Sequence, residues 1–260
     1  MSVFDLFKLN GRVALVSGGA GIYGSHITRA LAEAGAHVVV ASRNIKRGEE
    51  FALELQAEKL SVVAAFLDLS SQDSILALRE WIVSRLGRID ILFNNAVARA
   101  GGDLGTVTEE EWESAMKINS TGLFLACKTF GEQMIKQRSG VIVNVASIYG
   151  VVGPDFNIYE GTGITNPANY AFAKGGMINF TRYLASYYAP FGIRVNALSP
   201  GGFASGDQPE EFVRRYSQKT LLGRMATDDD IKGAAVYLAS DASAYVTGQN
   251  LLVDGGWTAI

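Results

Sequence analysis

The chain has 260 residues, 48% of them apolar and 19% charged, and its formal net charge is −3. This composition can build one sizeable hydrophobic core and excludes a disordered chain. The near balance of charges gives no sign of a nucleic-acid partner, and the longest uncharged runs, of 16 residues, are too short to span a membrane. The single cysteine excludes a disulfide framework, and without a secretory signal we expect a cytoplasmic protein.

Short β-branched segments alternate with longer amphipathic segments along the chain. The predicted strands are Val13–Ser17, His37–Ala41, Val62–Leu67, Ile89–Asn94, Val141–Ala146, Arg194–Ser199 and Leu251–Val253. The predicted helices are Ser25–Ala34, Ile45–Glu58, Ser71–Leu86, Glu109–Gln137, Asn169–Ala189 and Asp228–Ala239. Capping patterns mark three helix starts, at Ser70 with Asp73, Thr108 with Glu111 and Thr227 with Asp230. The alternation predicts a single α/β domain over 1–260, with a doubly wound, seven-stranded parallel sheet of Rossmann type.

A glycine-rich turn separates the first predicted strand from the first helix. It reads Ser17-Gly18-Gly19-Ala20-Gly21-Ile22-Tyr23-Gly24. Such a turn lets the backbone approach a pyrophosphate, to which the helix N-terminus offers N–H donors. An ordinary strand-to-helix turn is the alternative, but the position in the first βαβ unit favours dinucleotide binding.

The end of the second predicted strand, Val40-Ala41-Ser42-Arg43-Asn44, bears on the choice of cofactor. A carboxylate at this point would bind the 2′-hydroxyl of NAD, whereas a basic residue favours a 2′-phosphate. No carboxylate is present, and the planar guanidinium of Arg43 can pair with phosphate. We therefore expect NADP(H) to be preferred over NAD(H), with a solvated surface charge at Arg43 as the alternative.

Tyr170 and Lys174 are four residues apart on a predicted helix and therefore share a face. A free phenol titrates near ~10, and a neighbouring ammonium stabilises the phenolate. Ser147 follows the fifth predicted strand, at the sheet edge where α/β proteins bind ligands. An aromatic side chain packed beside a solvated lysine, and a serine that caps a strand end, are the alternatives.

In combination, these features resemble the short-chain dehydrogenase/reductase family over essentially the whole chain. The ordered landmarks are Ser17–Gly24, Asp68, Asn94-Asn95-Ala96, Asn119, Ser147, Tyr170 with Lys174, Arg194-Val195-Asn196-Ala197, Pro200-Gly201 and Asp254-Gly255-Gly256. The resemblance implies hydride transfer between nicotinamide C4 and a carbonyl carbon, with Tyr170 as general acid/base. It implies that Lys174 lowers the Tyr170 pKa and holds the ribose, that Ser147 binds the substrate oxygen, and that Asn119 anchors a water.

The resemblance also implies a set of cofactor contacts. Asp68 would touch the adenine, Asn95 would support the turn, and Ser205 would contact the carboxamide. The other expected cofactor residues, besides Tyr170 and Lys174, are Ser17, Gly18, Gly21, Ile22, Tyr23, Gly24, Ser42, Arg43, Leu69, Ala96, Pro200 and Gly201. No metal is expected, because the two histidines lie in different elements.

Three departures from the family pattern affect the site. Ile22 stands where the family usually has glycine, so we expect a helix start there and the tight backbone at Gly21. Val97 follows the Asn94-Asn95-Ala96 motif where the family usually has glycine, and Arg99 after it is a candidate for binding an anionic substrate group, with a solvated loop charge as the alternative. Ser147 and Tyr170 are 23 positions apart, more than is usual in the family.

The extra segment forms a polar insert at 151–168 that we expect to roof the substrate pocket. Asn157, Tyr159 and Asn166 are its candidate contacts to a hydroxyl-rich ligand. It is similar to members of the family that are associated with sugars, including nonulosonic-acid or flagellin-glycan synthesis. A subunit contact without any substrate role is the alternative.

Residues 201–220, with a short helical stretch at Pro209–Ser217, are predicted to form a mobile lid. The sequence favours a carbonyl reductase or alcohol dehydrogenase that acts on a small, polar, sugar-like molecule. A 3-oxoacyl-carrier-protein reductase and a non-catalytic NADP(H)-sensing regulator are the alternatives. The resemblance implies a homotetramer, and Gly175 with Gly176 indicates close packing against another subunit.

Overall fold

In the computed structural model, which describes residues 2–99 and 101–260, seven strands form one parallel sheet. They are β1 Val13–Ser17, β2 His37–Ser42, β3 Val62–Phe66, β4 Ile91–Asn94, β5 Gly140–Val145, β6 Ile193–Pro200 and β7 Asn250–Val253. Their spatial order is β3-β2-β1-β4-β5-β6-β7, so the order reverses between β1 and β4. The predicted Rossmann-type fold in a single domain is confirmed.

The described residues form eight α-helices, most of which pack against the sheet. They are α1 Ile22–Glu33, α2 Ile45–Ala57, α3 Gln72–Leu86, α4 Glu109–Met116, α5 Leu123–Gln137, α6 Ala168–Tyr188, α7 Glu210–Lys219 and α8 Lys232–Ala239. Side chains of β1 alternate between two cores: Val13 and Leu15 pack with α3, α5 and α6, while Ala14 and Val16 pack with α1, α2 and α8. Both faces of the strand are thus buried, which explains its continuous apolar sequence.

Several predicted helix boundaries are wrong. The segment Glu109–Gln137 is not one α-helix, because a π-helical stretch, Lys117–Gly122, joins α4 to α5. The first helix starts at Ile22 rather than Ser25, and the last starts at Lys232 rather than Asp228.

The three predicted capping patterns have different outcomes. The box of Thr108 with Glu111 is present. At α3 the cap is Ser71, because Ser70 instead donates to the Asp68 carboxylate. Before α8, the Asp230 carboxylate accepts the Thr227 N–H and pairs with Arg224. These contacts stabilise a turn that precedes the helix and is not part of it.

Parallel strands bring the segments that follow β1, β4, β5 and β6 to one edge of the sheet. These segments include the glycine-rich turn, the loop with Arg99, the 151–168 insert and the 201–220 segment. The candidate site residues therefore lie at this edge. Within the described ranges, no helix is both long and apolar enough to cross a membrane.

Candidate active site

The backbone of the glycine-rich turn is tightest at Gly18, which has a φ of +63°. Gly21 is extended, with φ −84° and ψ −176°, and α1 begins at Ile22. The expectation that Gly21 carries the tight backbone is therefore wrong, whereas the helix start at Ile22 is confirmed. The left-handed region suits glycine because it has no Cβ.

Hydrogen bonds attach this turn to the loop after β4. The Asn95 Nδ2 donates to the carbonyl oxygens of Ser17 and Gly18 at 3.1 and 3.0 Å. The Ser17 Oγ accepts the backbone N–H groups of Asn95 and Ala96, both at 3.1 Å. Gly24 lies so close to Gly18 that a Cβ there would overlap the Gly18 carbonyl oxygen.

The N-terminus of α1 fits the pyrophosphate of a dinucleotide. Its N-cap, Gly21, makes no side-chain hydrogen bond, whereas Asn44, Ser71 and Thr108 cap the next three helices. The first backbone N–H groups of α1 are thus left to an anion, which the helix dipole also favours. The Tyr23 hydroxyl donates to the Gly201 carbonyl at 2.8 Å and ties this helix to the chain after β6.

Residues that follow β2 and β3 border the same edge. Arg43 is exposed, and the Ser42 hydroxyl donates to the Asn44 carbonyl at 2.9 Å. Asp68 and the buried Leu69 follow β3. Hydrogen bonds from Ser70, followed by the positive charge of Arg43, hold the Asp68 pKa below its usual range. Arg43 and Asp68 are therefore near neighbours.

Helix α6 buries Tyr170 and Lys174 on one face. The Lys174 Nζ donates to the Val145 carbonyl at 2.5 Å and lies 5.6 Å from the centre of the Tyr170 ring. The Ser147 hydroxyl hydrogen-bonds to the phenol, and the Arg99 guanidinium carbon lies 4.8 Å from the ring centre. Burial opposes ionisation of Tyr170, but Lys174, Arg99 and Ser147 outweigh it and lower the phenol pKa. Burial lowers the pKa of Lys174, although Tyr170 opposes that shift.

Asn119 lies in the π-helical stretch and is buried. Its side-chain amide accepts the Ala98 N–H and donates to the Ala98 carbonyl, both at 2.8 Å. Because Ala98 precedes Arg99, this pair positions the loop that carries Arg99. π-Helical turns are frequent at functional sites.

A buried polar chain beneath the site was not predicted from the sequence. The Asn94 Nδ2 donates to the Asn144 Oδ1 at 2.8 Å, and the Asn144 Nδ2 donates to the Thr181 hydroxyl at 2.9 Å. This chain connects β4 and β5 to α6, the helix that carries Tyr170. Asn94 also donates to Cys127, an inert thiol whose pKa burial raises to about 12.

The insert brings hydroxyl groups together beside Tyr170. The Tyr149 and Tyr159 hydroxyls are 2.8 Å apart, and Asn166 also hydrogen-bonds to Tyr159. Tyr149 was not predicted; its position two residues after Ser147 is the signal that could have identified it. Asn157 is exposed, and its carbonyl is bound by Arg215, so the structure does not place its side chain with the tyrosines.

Helix α7 of the 201–220 segment is attached to the insert. The Arg215 Nη1 donates to the carbonyl oxygens of Asn157 and Glu160, both at 2.8 Å, and Lys219 pairs with Asp155. The Tyr159 and Phe212 rings pack at 5.3 Å. Further contacts order the start of the segment: Tyr216 accepts the Gly202 N–H, and Ser205 pairs with Asp207. Ser205 is exposed in this arrangement.

The described residues contain no group of three or more His, Cys, Asp or Glu side chains that could hold a metal ion. The arrangement instead combines a phenol, an ammonium, a hydroxyl and an anion-binding turn. Together these groups can move a proton at a substrate oxygen beside a bound dinucleotide.

Comparisons with known proteins find relatives over nearly the whole chain. A family model described as enoyl-(acyl carrier protein) reductase matches residues 18–258. The chain is 33% identical over 259 residues to D-threitol dehydrogenase of Mycolicibacterium smegmatis, covering 98% of this chain and 95% of that protein. It is 34% identical over 255 residues to a 3-oxoacyl-(acyl-carrier-protein) reductase of Aquifex aeolicus, covering 96% and 98% of the two chains.

Solved structures show the same relationship. The crystal structure of a gluconate 5-dehydrogenase from Burkholderia cenocepacia J2315 in complex with NADP and tartrate is similar with a TM-score of 0.90, at 31% identity and with full coverage of both chains. A short-chain type dehydrogenase/reductase from Mycobacterium marinum also gives 0.90, at 30% identity and again over both full chains. With its sheet order, its site and these relatives, the chain belongs to the short-chain dehydrogenase/reductase family of oxidoreductases.

Proposed function

We propose that this oxidoreductase uses NADP(H) to interconvert a carbonyl group and a secondary alcohol on a polar, sugar-like substrate. The observation that carries the proposal is the surroundings of the buried Tyr170 phenol. Lys174 and Ser147 lie beside it, and so do the hydroxyl groups of Tyr149 and Tyr159. The bound nicotinamide would supply or accept the hydride. The groups that would hold the dinucleotide are the α1 N-terminus, Arg43, Asp68 and Lys174.

The proton chemistry belongs to the chain itself. In the reducing direction, Tyr170 donates its proton to the substrate oxygen as negative charge develops there, and the Ser147 hydroxyl donates a hydrogen bond to the same oxygen. The Lys174 ammonium stabilises the phenolate that remains. In the oxidising direction, the phenolate accepts the proton of the alcohol.

The substrate class is supported by the insert and by the relatives. Tyr149, Tyr159 and Asn166 offer hydrogen bonds that suit a hydroxylated chain. The relatives include proteins described as D-threitol and gluconate 5-dehydrogenases. The Aquifex relative makes reduction of a 3-oxoacyl-carrier-protein the second candidate, but the polar insert favours the sugar-like substrate.

A substrate panel tests the proposal. Purified protein is assayed for NADPH oxidation with ketoses, keto-acids and a 3-oxoacyl thioester, and for NADP reduction with polyols and aldonates. We expect turnover of hydroxylated compounds. Turnover of the thioester alone would favour the carrier-protein reaction, and tight NADPH binding without any turnover would favour a regulator.

The Arg43→Ala substitution tests the cofactor preference. A charge-assisted hydrogen bond contributes about 1.5–3 kcal/mol, so loss of the guanidinium should raise the KM for NADPH about 10- to 150-fold. The KM for NADH should stay nearly unchanged, because NADH has no 2′-phosphate. Equal efficiency with both cofactors, unaffected by the substitution, would contradict the preference for NADP(H).

The pH profile tests the role of Tyr170. Alcohol oxidation needs the phenolate, so kcat/KM should rise with pH through the Tyr170 pKa; carbonyl reduction needs the phenol and should fall through the same pKa. Burial raises this pKa, and Lys174 is the largest influence that lowers it. In Lys174→Met the rising limb of oxidation should therefore move to higher pH. If the rising limb of the Lys174→Met profile stayed at the pH of the wild type, Lys174 would not be the group that lowers the Tyr170 pKa.

The insert and the 201–220 segment are proposed to cover the substrate together, since Arg215 and Lys219 bind insert groups. In Arg215→Ala the KM for the substrate should rise while kcat is largely kept, as steady-state assays can show. An unchanged KM would leave the insert with a structural role only.

We also propose a cytoplasmic homotetramer. Tyr183 and Tyr187 stack on the outer face of α6 although they are 64% and 56% exposed, and a Cβ at Gly176 would have no neighbour within 4 Å among the described residues. An exposed aromatic face of this kind indicates a protein contact. Light scattering should give about four times the chain mass of 27.8 kDa, and a monomer mass would refute the assembly.

A further inference from the structure

A second cation lies beside the proposed catalytic tyrosine. Arg99 belongs to the loop after β4, and its guanidinium carbon lies 4.8 Å from the centre of the Tyr170 ring. The Asn119 amide fixes the preceding residue, Ala98, through both of its backbone groups. We propose that Arg99 is the anion-binding group of the substrate site, and that the substrate carries a carboxylate next to its hydroxylated chain. This inference rests on the proposed oxidoreductase function and specifies its substrate class.

The Arg99 guanidinium hydrogen-bonds to the Tyr170 phenol, but no carboxylate among the described residues neutralises its charge. Within residues 2–99 and 101–260, no carboxylate approaches it to the 4.0 Å of an ion pair. Carboxylates do pair with Arg12, Arg29, Arg79, Arg88, Arg214, Arg215 and Arg224. Arg99 acts electrostatically on Tyr23, Tyr159, Tyr170 and Lys174, and none of these groups is a carboxylate.

Two cations therefore border the reacting phenol. The Tyr170 phenolate attracts both cations whenever it forms, but it is one negative charge beside two positive ones, and no carboxylate in the described part of the chain pairs with Arg99. A guanidinium offers two parallel N–H donors that match a carboxylate. An anionic substrate would complete this charge balance, whereas a neutral polyol would leave the guanidinium to solvent.

Polar groups of the insert extend the same subsite. The Tyr159 hydroxyl is held by Tyr149 at 2.8 Å and by Asn166. Asn166 is only 7% exposed, and its Oδ1 has no hydrogen-bond partner among the described residues. Hydroxyl and amide groups beside a guanidinium suit a hydroxy acid. They do not suit the long apolar chain of an acyl thioester.

A carboxylate fits better than a phosphate. Phosphate sites usually gather several donors or a helix N-terminus around three oxygens. Here a single guanidinium is present beside the phenol. The experiment nevertheless includes a phosphorylated compound, so that the two anions are distinguished.

The test compares substrates that differ in their terminal groups. With NADP as cofactor, kcat/KM is measured for D-gluconate, D-sorbitol and D-sorbitol 1-phosphate, whose anions are at the same end, and for the dicarboxylate tartrate against threitol, in wild type and Arg99→Gln. Arg85→Gln removes an exposed arginine near the end of α3 and serves as the matched control. The readout is the kcat/KM for the carboxylate divided by the kcat/KM for the polyol. An effect of Arg99 on Tyr170 itself changes kcat/KM for both substrates and therefore cancels in this ratio.

We expect the wild type to prefer the carboxylates. Arg99→Gln should lower the carboxylate-to-polyol ratio about 10- to 100-fold, mainly through KM, while Arg85→Gln leaves the ratio unchanged. A ratio that Arg99→Gln does not change, or a wild-type preference for the polyols, overturns the inference. A preference for the phosphate that is lost in Arg99→Gln overturns the carboxylate assignment.

A binding measurement separates this inference from the proposed function. If no compound is turned over, the proposed function fails, and NADP-saturated protein is then titrated calorimetrically with gluconate and with tartrate. Binding that weakens in Arg99→Gln but not in Arg85→Gln supports the anion subsite. Absence of binding, or binding that Arg99→Gln leaves intact, overturns it.

Discussion

Replacing Tyr170 with phenylalanine is expected to lower kcat about 10²- to 10⁴-fold in both directions. The substitution removes one oxygen and keeps the ring that packs beneath Arg99, so the fold should be unaffected. Ser147 would still bind the substrate oxygen, but no group at that position could give or take the proton. Steady-state assays in both directions, with NADPH titrated by fluorescence, should show lost turnover and nearly unchanged cofactor binding.

Tyr183→Phe is the matched control for this experiment. It removes the same oxygen from the same helix, at a tyrosine that is 64% exposed. Its kcat should equal that of the wild type. If the Tyr170→Phe variant kept most of its activity, the proton would have to come from another group, and the proposed role of Tyr170 would be wrong.

The central strands of the sheet could be predicted from the sequence because they are buried on both faces. Val13–Ser17 was predicted to the residue, since all five of its side chains are buried. The break in the helix after Met116 could not be predicted. The apolar period continues through it, and the contact that marks it joins Asn119 to Ala98, 21 residues earlier.

The start of the last helix was mispredicted for a similar reason. Thr227 and Asp230 have the spacing of a capping box, and the Asp230 carboxylate does accept the Thr227 N–H, but it also accepts the Thr227 hydroxyl and pairs with Arg224, and α8 begins only at Lys232. Short-range spacing states which partners are available. It does not show which hydrogen bonds form when another residue, here Arg224, binds the same carboxylate.

The site follows the same division between local and distant contacts. Tyr170 and Lys174 share a helix face, so their pairing follows from a spacing of four residues. The position of Arg99 over the Tyr170 ring depends on the path of a loop, and Arg215 reaches insert carbonyls 55 and 58 residues away. No periodicity encodes such contacts. The sequence therefore indicated the chemistry at the phenol, whereas the structure was needed to find what surrounds it.

The Gly24→Ala substitution is expected to disrupt the dinucleotide site. A Cβ at this position would overlap the Gly18 carbonyl oxygen and would lie 2.7 Å from the Asn95 Nδ2. Neither neighbour can move freely, because Asn95 holds the carbonyls of both Ser17 and Gly18. Overpacking of this kind costs about 1–3 kcal/mol of stability.

The same displacement should weaken cofactor binding, because Gly18 and the α1 N-terminus would separate. If it costs about 1–3 kcal/mol in binding, the Kd for NADPH rises about 5- to 150-fold. Gly233→Ala is the control: it lies in α8, its Cβ would meet nothing within 4 Å, and it should stabilise the protein by about 0.4–1 kcal/mol. Thermal unfolding measures the stability of both variants, and NADPH titration measures their Kd for the cofactor. Wild-type affinity in Gly24→Ala would mean that the turn between β1 and α1 does not hold the pyrophosphate, and the assignment of the cofactor site would fail with it.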